Sequence, residues 1–265
     1  ISLVSKFIYN YQSMKKKNKK VNAAILVIGN EILSGRTQDK NVAFISNWLN
    51  KNCGISVKEV RIIQDLENEI IKNIKNLSKN FNYVFTTGGI GPTHDDITSK
   101  SISKAFKVKY EFHKEAFQIL EKYYGKQKFN LGRKKMAKMP RGSKLIYNPS
   151  SAAPGFMIKN VISLPGVPSI LNSMIENSKQ YLVRGSKVFS STLNLFTVES
   201  SISSELDLLQ KKYKKTIEIG SYPFFRLGKI GVSIVCRSIS KKKLSIIQND
   251  LRRMAKSKDI KILKI

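Results

Sequence analysis

The chain predicts an α/β fold: a three-layer, mostly parallel sheet followed by a small α+β module. Three observations carry that prediction. Short apolar runs alternate with helical patterns from Ala23 to Thr87, the links between them are short, and after about residue 180 the pattern changes to longer alternating strands. The expected organisation is a basic tail over 1–21, a principal domain over 22–180 and a second domain over 181–265.

Ala23-Ala24-Ile25-Leu26-Val27-Ile28 is a continuous apolar run, as a strand buried on both faces requires, and it ends at Gly29. Val42, Ile45, Trp48 and Leu49 follow at helical spacing, and Cys53-Gly54 supplies a stop. Ser56 to Ile63 reads as a second strand. Asp65 stands at its end, placed to cap a helix carrying Ile70, Ile71, Ile74 and Leu77. Tyr83 to Thr87 reads as a third strand, running into Gly88-Gly89-Ile90-Gly91-Pro92-Thr93-His94-Asp95-Asp96. Strand, helix, strand, helix, strand with short links is the signature of a parallel sheet covered on both faces. Further helices are predicted from Asp96 to Phe106, Lys114 to Tyr124 and Leu131 to Met139. A hairpin turning at Lys159-Asn160 and a helix opened by Pro168 come next. In the second domain, strands are expected over 188–199, 216–221 and 230–237, with helices over 201–210 and 243–254.

The 265 residues are 41% hydrophobic, enough for a real core. No apolar run approaches the roughly 20 residues that span a bilayer, so no membrane partner is expected. Residues 1–13 precede Met14 and read as leader or upstream sequence; apolar residues come before the lysines, the reverse of a secretory signal. Cys53 and Cys236 lie far apart and show no metal spacing, which fits a reduced, cytoplasmic protein. The net charge is +30, yet 39 of the 48 basic residues are lysines spread along the chain. Without a dense basic block interleaved with aromatics, nucleic-acid binding is disfavoured. The positive field favours anionic ligands and non-specific polyanion contact.

The chemistry concentrates between Thr86 and Thr98. Gly88, Gly89 and Gly91 let backbone N–H groups approach an anion, and a helix starting near Asp96 would point its N-terminus at the same place. Thr87 and Thr93 add hydroxyls. Asp95 and Asp96 would repel a phosphate unless a divalent cation stood between, and carboxylate plus phosphate oxygens are the usual Mg²⁺ environment. The other reading is a plain strand-to-helix turn with Asp96 as cap; the longer combination of glycines, threonines and acids favours phosphate with metal. Glu31 and Asp65 also stand at strand ends, where ligands bind in such sheets. His94 is open between acid–base work and a surface role, and His113 reads as a helix cap. Ser34 and Ser151 have no base partner, so serine nucleophile chemistry is disfavoured.

Gly29-Asn30-Glu31-Ile32-Leu33-Ser34-Gly35, Thr87 to Thr98, Asn148 to Phe156 and Leu164-Pro165-Gly166-Val167-Pro168 stand in the order found in the molybdopterin-binding (MoCF biosynthesis) domain family. The chain most resembles its competence/damage-inducible (CinA-like) branch and the similar domain of FAD synthases. Ser221 to Phe225 and Gly231 to Arg237 resemble the small KH-like domain that follows in that branch. The resemblance implies a pocket for molybdopterin or an adenine dinucleotide, lined by Gly29, Glu31, Ser34, Pro154, Gly155, Pro165 and Gly166. It implies phosphate binding by Thr87, Gly88, Gly89, Gly91 and Thr93, and catalytic roles for Asp96, Asp65 and Asp95. A divalent metal (Mg²⁺, Mn²⁺ or Co²⁺) would be held by Asp96, Asp65 and Glu31. The expected partner is a nucleotide or pterin-phosphate, with homo-oligomer assembly as in relatives. The implied activity is pyrophosphate hydrolysis of ADP-ribose or FAD; molybdopterin adenylylation and non-catalytic ligand binding are the alternatives. Ser151-Ala152 departs from the Gly-Thr usual in the third motif, and Asn30 from the usual Thr or Asp in the first.

Overall fold

The structure, a computed structural model, describes residues 20–226 and 228–263; nearly all of the expected basic tail lies outside them. The chain divides into two compact units, with the boundary between Ser186 and Lys187.

In the first unit, β1 (Val21–Ile28) leads through the one-turn α1 (Asn30–Leu33) to α2 (Asn41–Trp48) and β2 (Ile55–Ile63). Then come α3 (Glu67–Asn80), β3 (Tyr83–Thr87), α4 (Thr98–Phe106), β4 (Tyr110–Phe112), α5 (Lys114–Tyr124), α6 (Leu131–Lys135) and β5 (Lys138–Pro140). β6 (Lys144–Ile146), β7 (Gly155–Ile158), β8 (Val161–Leu164) and α7 (Pro168–Met174) complete it. The sheet order is β2-β1-β3-β8-β7-β6. The first three pairings are parallel and the last two antiparallel.

Alternation along β1 builds the three layers. Ala23, Ile25 and Val27 pack with Ile45, Trp48, Leu171 and Met174 on one face, while Ala24, Leu26 and Ile28 pack with Ile70, Ile74, Ile102 and Leu120 on the other. Burial on both faces is why β1 reads as an unbroken apolar run.

Several local expectations change. Asp65 caps no helix: α3 begins at Glu67, its cap residue is Leu66, and no side chain bonds its first amides. α4 begins at Thr98, two residues after Asp96, whose carboxylate turns back to Thr93 instead. The helix expected over 131–139 ends at Lys135, and Lys138–Pro140 pairs with Tyr110–Phe112 as a small second sheet. Tertiary pairing overrides the helical pattern there. His113 does cap α5, its Nδ1 accepting from the Ala116 N–H.

The second unit holds β9 (Phe189–Leu195), α8 (Ser203–Tyr213), β10 (Glu218–Arg226), β11 (Lys229–Ser238), α9 (Lys241–Ser257) and β12 (Ile262–Leu263). Its sheet is antiparallel, ordered β10-β11-β9-β12. Leu193, Leu195, Val232 and Ile234 pack against Leu244, Ile247 and Leu251 of α9. Among the described residues no helix is long and apolar enough to cross a membrane.

Candidate functional site

β1 and β3 are neighbours, and the connections that follow them leave on opposite faces: α2 after β1 packs in one core, α4 after β3 in the other. That is a topological switch point, where loops at the strand ends part and leave a crevice. Three segments meet at its rim: Gly29 to Gly35 after β1, Gln64 to Leu66 after β2, and Gly88 to Ile97 after β3.

The glycine loop is forced into place by close approach. Gly88 has φ +101, and a Cβ there would stand 2.1 Å from the Ile28 carbonyl oxygen of β1. Gly89 has φ +67, and its Cβ would stand 2.1 Å from Thr98 Oγ1. Only glycine threads this gap between β1 and α4. Gly88 donates its N–H to Leu164 of β8, but the N–H groups of Gly89, Ile90 and Gly91 find no acceptor among the described residues. Consecutive free amides of this kind form an anion-binding concavity.

The acids gather around the same loop. Asp65 accepts the Asn30 N–H at 2.8 Å. Burial raises its carboxyl above the ordinary aspartate value; the Asn30 bond acts against this, and the charges of Glu31, Asp95 and Asp96 raise it further. Asp65 therefore senses the other three carboxylates. Glu31 folds back on its own loop, its Oε1 2.6 Å from where a Gly29 Cβ would be, and Asp96 lies in the same way against Gly91 at 2.8 Å. Asp96 also accepts the Thr93 N–H at 2.7 Å and the Thr93 hydroxyl at 2.5 Å, and that hydroxyl reaches Asp95 at 2.6 Å. The Thr93 bond, first among several causes, holds exposed Asp95 below the usual carboxylate range; His94 and Lys135 contribute less. Thr93 thus serves the acids rather than offering its hydroxyl outward.

Thr87 is buried and its hydroxyl accepts from Asn41 Nδ2 at 3.2 Å. Asn41 also donates to the Gly166 carbonyl at 2.7 Å, tying α2, the end of β3 and the loop after β8 together. The sequence reading missed it; the signal was a polar residue opening an apolar helical face just after the Gly29–Gly35 loop. Gly166 is exposed and close to the glycine loop, a Cβ there falling 3.5 Å from Gly88 Cα, and Pro165 is half-buried beside it. Ser34 is exposed and bonds the Glu31 carbonyl at 3.2 Å. Pro154 and Gly155 are buried at the start of β7, where a Gly155 Cβ would stand 2.5 Å from the Ser163 carbonyl oxygen. Their position is one of packing. Asn148 organises the turn before them, accepting from the Ser150 and Ser151 N–H groups and donating to the Ser151 hydroxyl and Ala153 carbonyl.

Among the described residues no three His, Cys, Asp or Glu side chains are grouped closely enough to hold a metal ion alone. Two carboxylates completed by phosphate oxygens is the common Mg²⁺ arrangement, so the donor set fits an ion bound together with a phosphate ligand.

Residues 24–184 match the family profile described as "Probable molybdopterin binding domain", and residues 187–263 match "FAD synthase, middle domain". A protein of Archaeoglobus fulgidus is 33% identical over 75% of this chain and 84% of its own length. A protein of Clostridium botulinum named for competence-damage induction is 32% identical over 86% of this chain, and one of Caenorhabditis elegans named "Probable FAD synthase" is 30% identical over 88%. The matches span 57% and 49% of those two relatives' lengths. The crystal structure of CinA from Thermoplasma acidophilum, a protein described as of unknown function, aligns with TM-score 0.57 and 32% identity over 61% of this chain and 99% of its own. The chain belongs to the molybdopterin-binding (MoCF biosynthesis) domain family, in its CinA-like branch, with a second unit of the FAD synthase middle-domain type.

Proposed function

We propose that the chain is a nucleotide pyrophosphatase that cleaves a ribose-linked dinucleotide such as ADP-ribose or FAD with a divalent cation, Mg²⁺, Mn²⁺ or Co²⁺. The observation that carries this reading is the pairing of opposites across the crevice. Free amides of Gly89, Ile90 and Gly91 invite a phosphate, while the Asp65 carboxylate, facing three other negative charges, repels one. A divalent cation held by the carboxylate would satisfy both together.

The amides bind non-bridging oxygens and stabilise the charge that develops on them. Asp65 and Asp96 are the carboxylates that would hold the ion, and Thr93 keeps the Asp95–Asp96 turn in position. A bound divalent cation would polarise the phosphates and lower the pKa of the attacking water. Asn41 keeps the strand-end loops at a fixed spacing. The resemblance to the worm protein named for FAD synthesis supports an adenine dinucleotide as ligand. Mass spectrometry of products after incubation with ADP-ribose, FAD and NAD and each metal tests the reading; intact dinucleotides under every condition would end it.

The match to the molybdopterin-binding profile favours a second reading, adenylyl transfer to molybdopterin at the same crevice. Formation of AMP-molybdopterin from ATP would put it first. Tight, metal-independent binding of a nucleotide or pterin without turnover would instead mark a non-catalytic binding protein.

A further inference from the structure

Two buried side-chain atoms among the described residues have no hydrogen-bond partner: Asn41 Oδ1 and Thr98 Oγ1. Buried polar atoms are almost always paired, and exceptions call for a reason such as a ligand. Both belong to the same crevice, from opposite layers. Asn41 is 4% exposed and bonds Thr87 Oγ1, on the face of the sheet that carries Ile45 and Leu171. Thr98 is fully buried at the start of α4, whose Ile102 packs in the other core. Its hydroxyl stands where a Gly89 side chain would go, so it lies directly against the glycine loop that carries the free amides.

The two atoms differ in what they lack. A threonine hydroxyl can donate or accept, and beside free N–H groups at the first turn of a helix the complementary group is an oxyanion. The Asn41 amide has both its N–H bonds directed to Thr87 and Gly166, which leaves its oxygen able only to accept. A fully ionised phosphate group offers only acceptors and satisfies the first and not the second. A phosphate attached to a sugar satisfies both.

We propose that Thr98 and Asn41 complete the ligand seat from its two walls, Thr98 donating to a phosphate oxygen and Asn41 accepting from a hydroxyl of the attached ribose. The crevice then selects a ribose phosphate over a bare one. This rests on the nucleotide reading above and extends it to two residues that supply no charge. Both atoms are screened from solvent, so a ligand reaches them as the glycine loop parts from its walls; glycines at 88, 89 and 166 leave that movement free of side chains.

The test is calorimetric titration of the full chain with AMP, 2′,3′-dideoxy-AMP and inorganic pyrophosphate in Mg²⁺, with thermal unfolding of each variant. Thr98→Val is expected to weaken AMP and pyrophosphate alike by about 10- to 100-fold, the loss of one hydrogen bond to a charged group, while Thr98→Ser retains binding. Without ligand, Thr98→Val should melt at or slightly above the native temperature, because a buried hydroxyl without a partner is removed. Native protein should bind AMP about tenfold or more tightly than dideoxy-AMP, and Asn41→Ala should abolish that preference, a cycle that isolates the pair even if the variant is less stable. Unchanged binding by Thr98→Val, or a large fall in its melting temperature, would overturn the Thr98 assignment. Equal binding of AMP and dideoxy-AMP by native protein, or a preference that survives in Asn41→Ala, would overturn the Asn41 assignment. Absent binding of AMP and pyrophosphate by native protein would overturn both. Predicted binding with no cleavage of ADP-ribose, FAD or NAD under any metal would leave the seat standing and remove the pyrophosphatase reading.

Discussion

Two acidic segments face the same crevice and are built in opposite ways. The Asp95–Asp96 turn is internally satisfied: Thr93 donates its N–H and its hydroxyl to the two carboxylates, and Asp95 is comfortable as an anion. Asp65, after β2, has one backbone N–H for support, is partly desolvated, and looks across at Glu31, Asp95 and Asp96. A turn that holds its own charges keeps its shape without help. A carboxylate placed against like charges is strained as an anion and gains most from an incoming cation. On the proposed reading, Asp65 is the acid that gains most from a cation, Asp95 belongs to the scaffold of the turn, and Asp96 serves both the turn and the ion.

The largest expected effect follows from that contrast. Asp65→Asn should lower dinucleotide cleavage by about 100-fold or more, in the range for losing a catalytic group, and should leave thermal stability unchanged or higher. The amide oxygen still accepts from Asn30 and the repulsion is gone. Steady-state rates and melting curves on one preparation check both halves. Loss of stability together with retained activity would reverse the contrast.

The same residue predicts a pH signature. Native Asp65 keeps its proton to a higher pH than an unfolded aspartate, so the native state binds more protons above the ordinary value of 3.8. Stability from this group therefore falls as pH rises from there through its raised native value, and is flat beyond. The difference in unfolding free energy between the native chain and Asp65→Asn, measured by urea titration from pH 4 upward, should drift in the variant's favour over that window. A pH-independent difference would show that Asp65 is not strained.

Asp96→Ala should act differently, weakening the fold and the activity together. Two bonds to Thr93 are lost from a half-exposed turn, so about 1–2 kcal/mol of stability is expected to go. Asp95→Asn should be milder, changing activity by only about a few-fold, since the exposed side chain keeps an oxygen for the Thr93 hydroxyl and surface charge is well solvated. Parallel urea titrations and rate measurements sharpen the comparison; an Asp95 variant as inactive as the Asp65 one would make the turn part of the chemistry.

Much of this architecture was legible in residue order. The unbroken apolar run of β1 and the helical spacing of Val42, Ile45 and Trp48 announce a buried parallel strand and its cover helix, and the glycines before Asp95 mark the crevice. What escaped depends on contacts between distant residues. Asn41 reads as an ordinary first residue of a helix until its amide is found on Thr87 and Gly166, 46 and 125 positions away. Asp65 looks like a helix cap because acids at strand ends often are one, yet its partner is Asn30 from the preceding strand end. Leu131 to Met139 carries a helical pattern, and its end becomes a strand only because Tyr110 to Phe112 lies alongside. Pro154 and Gly155 share a turn-rich motif with residues at the rim, but hairpin pairing draws them into the core.

The smallest effect concerns the cation behind the turn. Lys135, the last residue of α6, donates its ammonium to the Thr93 carbonyl and is one of the positive charges acting on Asp95. The contact is half-exposed, so solvent and salt weaken it, and pairs of this kind contribute about 0–1 kcal/mol. Lys135→Met retains an apolar stem of similar length but removes the charge and the bond to the Thr93 carbonyl. It should change stability by less than about 1 kcal/mol, with the difference shrinking as ionic strength rises. If the turn is scaffold held mainly by Thr93, activity should stay within a few-fold of native protein, and the Asp95 carboxyl, followed by NMR titration, should shift slightly upward. A large loss of activity without unfolding would mean that α6 takes part in binding the ligand, and the boundary between scaffold and chemistry would then move from Asp65 to the outer side of the turn.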